Sequence, residues 1–141
     1  MKKSLFFILT LILLSGCTNL QPTITNIRLC SEVPEDSEHC PDHTTSFSSD
    51  ITKIHLSLTL QNIPDDSELR ILWKYVDENN ESIYFSTEKI IELYDSSFSD
   101  NEITTMIERD ETTPWNIGNY EVIITGSADK LKSEVVLFEI K

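Results

Sequence analysis

Glycine is scarce in this chain, with three residues among 141. Phosphate-binding loops need closely spaced glycines, and so does the Gly-x-Ser-x-Gly elbow that presents the serine of many hydrolases. Neither pattern occurs in the sequence. The scarcity therefore excludes a glycine-rich nucleotide site and a hydrolase of the nucleophile-elbow type.

Basic residues are also few, with 11 Lys and Arg against 24 Asp and Glu. Two of the lysines lie in the first three residues, so the chain after residue 16 has nine basic and 24 acidic residues, a formal charge of −15. Such a surface repels nucleic acid phosphates and anionic lipid headgroups. We therefore exclude nucleic acid as a partner and expect the domain to stand off a membrane surface.

The sequence has one long apolar run, Leu5 to Leu14, which follows Lys2 and Lys3. A positive start and a short apolar segment are typical of a secretory signal. The run is about half the roughly 20 residues that a membrane-spanning helix needs. Residues 1–16 are therefore predicted to be an export signal.

The residues that end this signal, Leu14-Ser15-Gly16-Cys17, resemble the lipobox of bacterial lipoproteins. The resemblance implies that Cys17 receives diacylglycerol, that the preceding bond is cut, and that long acyl chains such as palmitate anchor the protein. Thr18 favours the outer membrane if the cell is Gram-negative. The alternative is an ordinary signal peptide with a cysteine at its cleavage site. We expect residues 17–22 to be the lipidated cysteine and a tether, and residues 23–141 to be one domain.

Cys30 and Cys40 are then an even pair in an exported chain, where a disulfide is the default. The alternative is a metal site, because other ligand types surround Cys40. These are His39, His43, Asp36, Glu38 and Asp42. Structural zinc sites usually combine closely paired cysteines with paired histidines, and the two cysteines here are too far apart in sequence. The sequence favours the disulfide and predicts no metal.

Apolar and polar residues alternate through most of the chain after the signal, which is typical of half-buried β-strands. The clearest example is Lys53 to Gln61. Further strands are expected at Thr23–Leu29, Leu69–Val76, Ser82–Ser86, Ile103–Ile107, Tyr120–Thr125 and Leu131–Ile140. Glu88 to Tyr94 fits either a strand or one helical turn. Seven or eight short strands separated by turns predict an all-β antiparallel sandwich after the helical signal.

The segment Asn116-Ile117-Gly118-Asn119-Tyr120-Glu121-Val122 resembles the corner before strand F of immunoglobulin-like domains. By that resemblance Tyr120 is the corner tyrosine and Trp73 the buried tryptophan of strand C. The inter-sheet cysteines of antibody domains are absent, so apolar pairs such as Leu58 with Val122 are expected in their place.

The chain after the signal also resembles a family of uncharacterised bacterial lipoprotein domains with an immunoglobulin-like fold. The residues that carry this resemblance run nearly the length of the domain. They are the pair Cys30 and Cys40, then Phe47-Ser48-Ser49-Asp50, Trp73-Lys74-Tyr75, Pro114-Trp115 with the corner that follows, and Phe138-Glu139-Ile140. These motifs mark a fold and imply no chemistry.

Candidate sites outside the fold markers are few. Acidic residues in Asp77–Glu81 and Asp95–Glu102 suit calcium, but neither stretch has the spacing of an EF-hand loop, and solvated loops are favoured. His55 is expected to be a surface residue. Trp115 and the loop aromatics Phe47 and Phe98 are candidate contact residues, although Trp115 suits core packing as well. Unpaired edge strands are a further possible surface.

These observations predict an envelope-anchored, non-catalytic module that binds an unknown envelope protein or polymer. The alternative is a structural or assembly subunit of an envelope complex. A calcium-dependent adhesion module and an enzyme are less favoured, and no cofactor is expected.

Overall fold

The computed structural model describes residues 20–76, 86–93, 101–110 and 112–141, and eight β-strands account for most of these residues. They are β1 Thr23–Cys30, β2 Ser46–Phe47, β3 Lys53–Gln61, β4 Ser67–Val76, β5 Ser86–Leu93, β6 Asn101–Glu108, β7 Gly118–Gly126 and β8 Glu134–Ile140. The described ranges include no helix, and thus none long and apolar enough to cross a membrane.

The alternating patterns bury one face of each long strand. On β3 the buried set is Ile54, Leu56, Leu58 and Leu60; on β4 it is Leu69, Ile71 and Trp73; and on β7 it is Tyr120, Val122 and Ile124. Burying each large apolar side chain contributes about 1.5–3 kcal/mol. Because a one-residue slip would turn all of these side chains outward, the same pattern fixes the strand register.

The strands form two sheets, one in the order β1-β3-β6 and the other in the order β2-β8-β7-β4-β5. All pairs are antiparallel except the short parallel pair of β2 with β8. This order corresponds to strands A, B and E of an immunoglobulin-like sandwich facing strands G, F and C, with an added edge strand on each side of the second sheet. The predicted all-β, immunoglobulin-like sandwich of seven to eight strands is confirmed.

Three local predictions need correction or completion. The stretch left open as strand or helical turn is a strand, β5, because it pairs with β4 along its whole length. β8 begins at Glu134 rather than Leu131, since Lys130 has a positive φ of 64° and a turn bonds Leu131 N–H to the Ala128 carbonyl. The predicted loop at residues 77–81 and the strand at 82–86 lie outside the described residues, apart from Ser86.

The bend before β7 has the geometry of a tyrosine corner. Tyr120 Oη donates to the carbonyl of Asn116 at 2.9 Å, and Gly118 has a φ of +145°, which L-residues with a side chain rarely adopt. A Cβ at Gly118 would also lie 2.9 Å from the Tyr75 ring. The Tyr120 ring stacks on Phe138, with centroids 5.1 Å apart.

Trp73 is fully buried in β4 and meets Phe138 edge to face at 6.1 Å. In the part of the chain that is described, its indole nitrogen is the one buried side-chain polar atom without a hydrogen bond. Leu58 and Val122 belong to the same buried cluster, so apolar residues from both sheets occupy the centre of the sandwich.

The sandwich has two distinct ends. At one end Thr23, where the chain enters β1, pairs with Gln61 and Leu69 pairs with Gly126; we call it the tether end. At the other, Cys30 and the tyrosine corner lie together with the last residues of β4 and β8; we call it the corner end. The eight residues of β1 span about 26 Å between them.

Candidate interaction surface

The outer faces of the two sheets differ, because a loop covers one of them. After β1 the chain folds back over the outer face of the three-stranded sheet. There Cys40 N–H donates to the buried Ser57 Oγ of β3 at 3.1 Å. Arg28 of β1 donates to the carbonyls of Cys40 at 3.2 Å and Pro41 at 2.9 Å. These bonds hold the loop against the sheet.

A disulfide between Cys30 and Cys40 closes this loop, with a Cα–Cα distance of 5.5 Å. The predicted disulfide is confirmed. Both cysteines are buried, and neither sulfur is available as a thiolate ligand or nucleophile.

The histidines of the loop have separate partners. His39 Nε2 lies 2.6 Å from Glu102 Oε2 of β6, and Thr104 of β6 donates to the carbonyl of Glu38. His43 Nδ1 accepts a bond from Leu29 N–H at 3.1 Å. Within the described ranges no three His, Cys, Asp or Glu side chains are grouped to hold a metal ion. The disulfide-closed loop, which was the basis of the zinc alternative, thus covers the outer face of the three-stranded sheet. It contacts all three strands of that sheet, β1, β3 and β6.

His55 extends outward from β3 beneath this cover and is half-buried rather than freely exposed. Burial lowers the pKa of its imidazole below the usual value, and the charge of Lys53 lowers it further. His55 is therefore neutral near pH 7.

The outer face of the five-stranded sheet, by contrast, carries apolar side chains that no described residue covers. We call it the bare face. Register places Val135 of β8, Ile123 of β7 and Leu72 of β4 side by side, and Leu137 lies next along β8. Val135 is 54% exposed and Leu137 is 66% exposed. Ile90 of β5, also exposed, and Val76 complete the apolar set.

Ion pairs lie on both sides of the apolar row formed by Val135, Ile123 and Leu72. Lys74 lies 3.6 Å from Glu121, between this row and Val76, and Arg70 is shared by Glu68 at 3.2 Å and Glu88 at 3.8 Å. Exposed pairs of this kind contribute little to stability. Apolar side chains beside charged ones are an arrangement found at protein interfaces.

The bare face has a groove at its corner end, which we call the corner groove. Its volume is about 530 Å³, and its walls include Thr45, Val76, Asn119, Glu121, Leu137 and Glu139. Glu139 also contacts Lys141 Nζ at 2.7 Å. The groove therefore offers two aliphatic walls beside two carboxylates.

Two of the aromatics proposed as contact residues, Trp115 and Phe47, are not on this face. Trp115 is buried at the corner end, where Nε1 donates to the Ile51 carbonyl at 2.8 Å. Of the two roles considered for Trp115, the structure shows packing. Phe47 is not a loop residue, since it lies in β2 and packs edge to face on Phe138 at 5.7 Å. Phe98 and Cys17 lie outside the described residues. So do residues 77–81 and 95–100, which belong to the calcium alternative.

Arg109 is a structural residue that no sequence pattern singles out. Its guanidinium donates from Nε to the Ile51 carbonyl at 2.7 Å, and also to the carbonyls of Asp50 at 2.5 Å and Thr113 at 3.1 Å. It ties together the two segments that carry Trp115 and the start of β3. Only tertiary structure brings these carbonyls to one point.

Comparison with known proteins supports the immunoglobulin-like fold and assigns no function. No family model matches the sequence, and no curated protein is similar to it. Among solved structures, an immunoglobulin-like protein from Pseudomonas aeruginosa has 16% identity and a TM-score of 0.57, with 88% of this chain and 99% of that chain covered. An alkylpurine DNA glycosylase from Pseudomonas fluorescens has 16% identity and a TM-score of 0.50.

The second likeness covers 86% of this chain and only 30% of the glycosylase. A β-glucosidase from Listeria innocua has 10% identity and a TM-score of 0.47, over 85% of this chain and 16% of that enzyme. The chain thus resembles nearly the whole of the Pseudomonas aeruginosa protein and less than a third of the glycosylase. At these identities the likeness shows an immunoglobulin-like fold alone.

Proposed function

We propose that this protein is a lipoprotein held in the cell envelope by an acylated Cys17. Its immunoglobulin-like domain is a non-catalytic module that binds another envelope component. The bare face carries this proposal, because solvent-exposed Val135 and Leu137 adjoin Ile123 and Leu72 across three neighbouring strands. Contiguous apolar surface of this kind marks an interaction site in a soluble domain.

The anchor supports the same role through geometry. Thr18 to Pro22 is a tether of at most about 18 Å, so it keeps the tether end near the membrane. The strands run from that end to the corner end, so the bare face extends away from the point of attachment. A neighbour in the same membrane, or a subunit of an envelope complex, meets it from the side.

A sheet face with apolar side chains beside charged ones suits a protein partner. This favours a binding module with a protein partner, and it also keeps the alternative of an assembly subunit open. The two roles differ in stoichiometry. A permanent subunit is recovered in a fixed ratio with one complex, whereas a transient binder is not.

The test is affinity purification of the tagged full chain in a nonionic detergent from the cells that make it. We expect a discrete partner with the unaltered chain and its loss with the double change Val135→Asp and Leu137→Asp. The matched control is Ile117→Asp, because Ile117 is as exposed as Leu137 but lies in the corner loop. Equal recovery with all three chains, or no partner with any, would contradict the proposal.

A further inference from the structure

We infer that the partner of the bare face is a cationic protein that places a Lys or Arg side chain, next to aliphatic residues, in the corner groove. This rests on the proposed function and adds the chemistry of the partner.

The bare face has an excess of carboxylates. Across β8, β7, β4 and β5 its outward positions carry five glutamates and two cations, and Lys141 follows directly after β8. Arg70 contacts two of the glutamates, Lys74 contacts Glu121 and Lys141 contacts Glu139, so the five glutamates and three cations leave the face with a net negative formal charge. The chain as a whole has a formal charge of −13. A positive surface is therefore the complementary partner.

The same charges argue against other occupants. A second copy would bring its own glutamates against these, and like charges across an interface are unfavourable. Anionic lipid headgroups are repelled for the same reason. An uncharged glycan would leave the net negative charge of the face uncompensated.

The corner groove suits the two parts of a long basic side chain. Its methylene stem packs on Leu137 and Val76, while its charged head reaches Glu121 and Glu139. Both carboxylates now contact lysines of this chain, Lys74 at 3.6 Å and the exposed Lys141 at 2.7 Å. Exposed ion pairs are weak, so an incoming cation exchanges with Lys141 at small cost.

The test is photo-crosslinking of the full chain in the cells that make it. Leu137→benzoylphenylalanine places a crosslinker at the groove, and Ile117→benzoylphenylalanine is the control in the corner loop. Mass spectrometry then identifies the crosslinked partner peptide. We expect a peptide with Lys or Arg within a few residues of an aliphatic residue, captured from position 137 and much less from position 117.

Removing the two carboxylates of the groove provides a second test, in which the crosslinking yield from position 137 is measured. Glu121→Gln with Glu139→Gln should lower the yield from position 137 about fivefold, since two charge pairs are lost. Glu35→Gln, an exposed change in the disulfide-closed loop, should leave it unchanged.

Crosslinks from position 137 to a second copy, to lipid or to a peptide without Lys or Arg would overturn the inference. So would a crosslinking yield from position 137 that is the same with and without the two Glu→Gln changes. In these cases a crosslink from position 137 to another protein still supports the proposed function. No crosslink from either position contradicts both.

Discussion

Replacing Tyr120 with phenylalanine tests the tyrosine corner with the smallest possible change. Tyr120→Phe removes one hydroxyl, and with it the 2.9 Å bond to the Asn116 carbonyl. The ring keeps its stacking on Phe138 and its edge contact with Trp115. Any loss of stability therefore measures the hydrogen bond.

The expected cost follows from the burial of the two groups. A hydrogen bond between uncharged groups contributes about 0.5–1.5 kcal/mol. Asn116 is exposed, so water can replace the lost donor at its carbonyl. We expect the free energy of unfolding to fall by about 1 kcal/mol, and the melting temperature by roughly 3–6 °C.

Tyr75→Phe is the matched control, because its hydroxyl makes a longer and exposed bond of 3.4 Å to the Ile117 carbonyl. It should cost less than about 0.5 kcal/mol. Urea unfolding of both variants gives the two values, and an unchanged dependence on urea shows that the fold is intact. Equal losses, or a larger loss for Tyr75→Phe, would refute the assigned corner.

The same residue has a pH signature. Burial, together with the neighbouring Tyr75, raises the pKa of the Tyr120 hydroxyl to about 12 from an ordinary value of 10. The folded state therefore holds this proton more tightly than the unfolded state does. Its contribution to stability is complete below pH 10 and is lost as the pH rises toward 12. In Tyr120→Phe the free energy of unfolding should depend less on pH between pH 10 and about 12.

Three further variants test other parts of the structure by the same unfolding measurement. Cys40→Ser opens a closed loop of about 11 residues and should cost roughly 3 kcal/mol, and reductant should then have no further effect. Arg109→Lys loses the forked donors that hold four carbonyls, including that of the adjacent Asp110, and should cost about 1–3 kcal/mol, whereas an unaltered midpoint would refute its structural role. Gly118→Ala forces a side chain into a positive φ against the Tyr75 ring and should cost about 2 kcal/mol or more, unlike Asn119→Ala beside it.

Local pattern was enough to predict the fold. The alternation in β3 and β7 defines which side chains are buried, and the Gly-x-Tyr step identifies the corner that distinguishes this sandwich. The disulfide also followed from local reasoning, since Cys30 and Cys40 are the two cysteines that remain after Cys17.

The candidate surface could not be predicted, because it depends on what covers each sheet. β3 and β7 both alternate, yet the outward Ser57 of β3 lies beneath the disulfide-closed loop while Ile123 of β7 lies on the bare face. Strand sequences do not encode which outer face a distant loop covers. Trp115 shows the same limit, since its burial depends on the carbonyl of Ile51, 64 residues earlier in the chain.

The anchor is the premise of the proposed function, and intact mass spectrometry of the processed protein tests it most directly. We predict a chain that begins at Cys17 and carries the added mass of a diacylglycerol, with two fewer hydrogens from the bond between Cys30 and Cys40. Cys17→Ala should abolish the lipid mass. A mature chain that starts elsewhere, or one without acyl groups, would contradict the account.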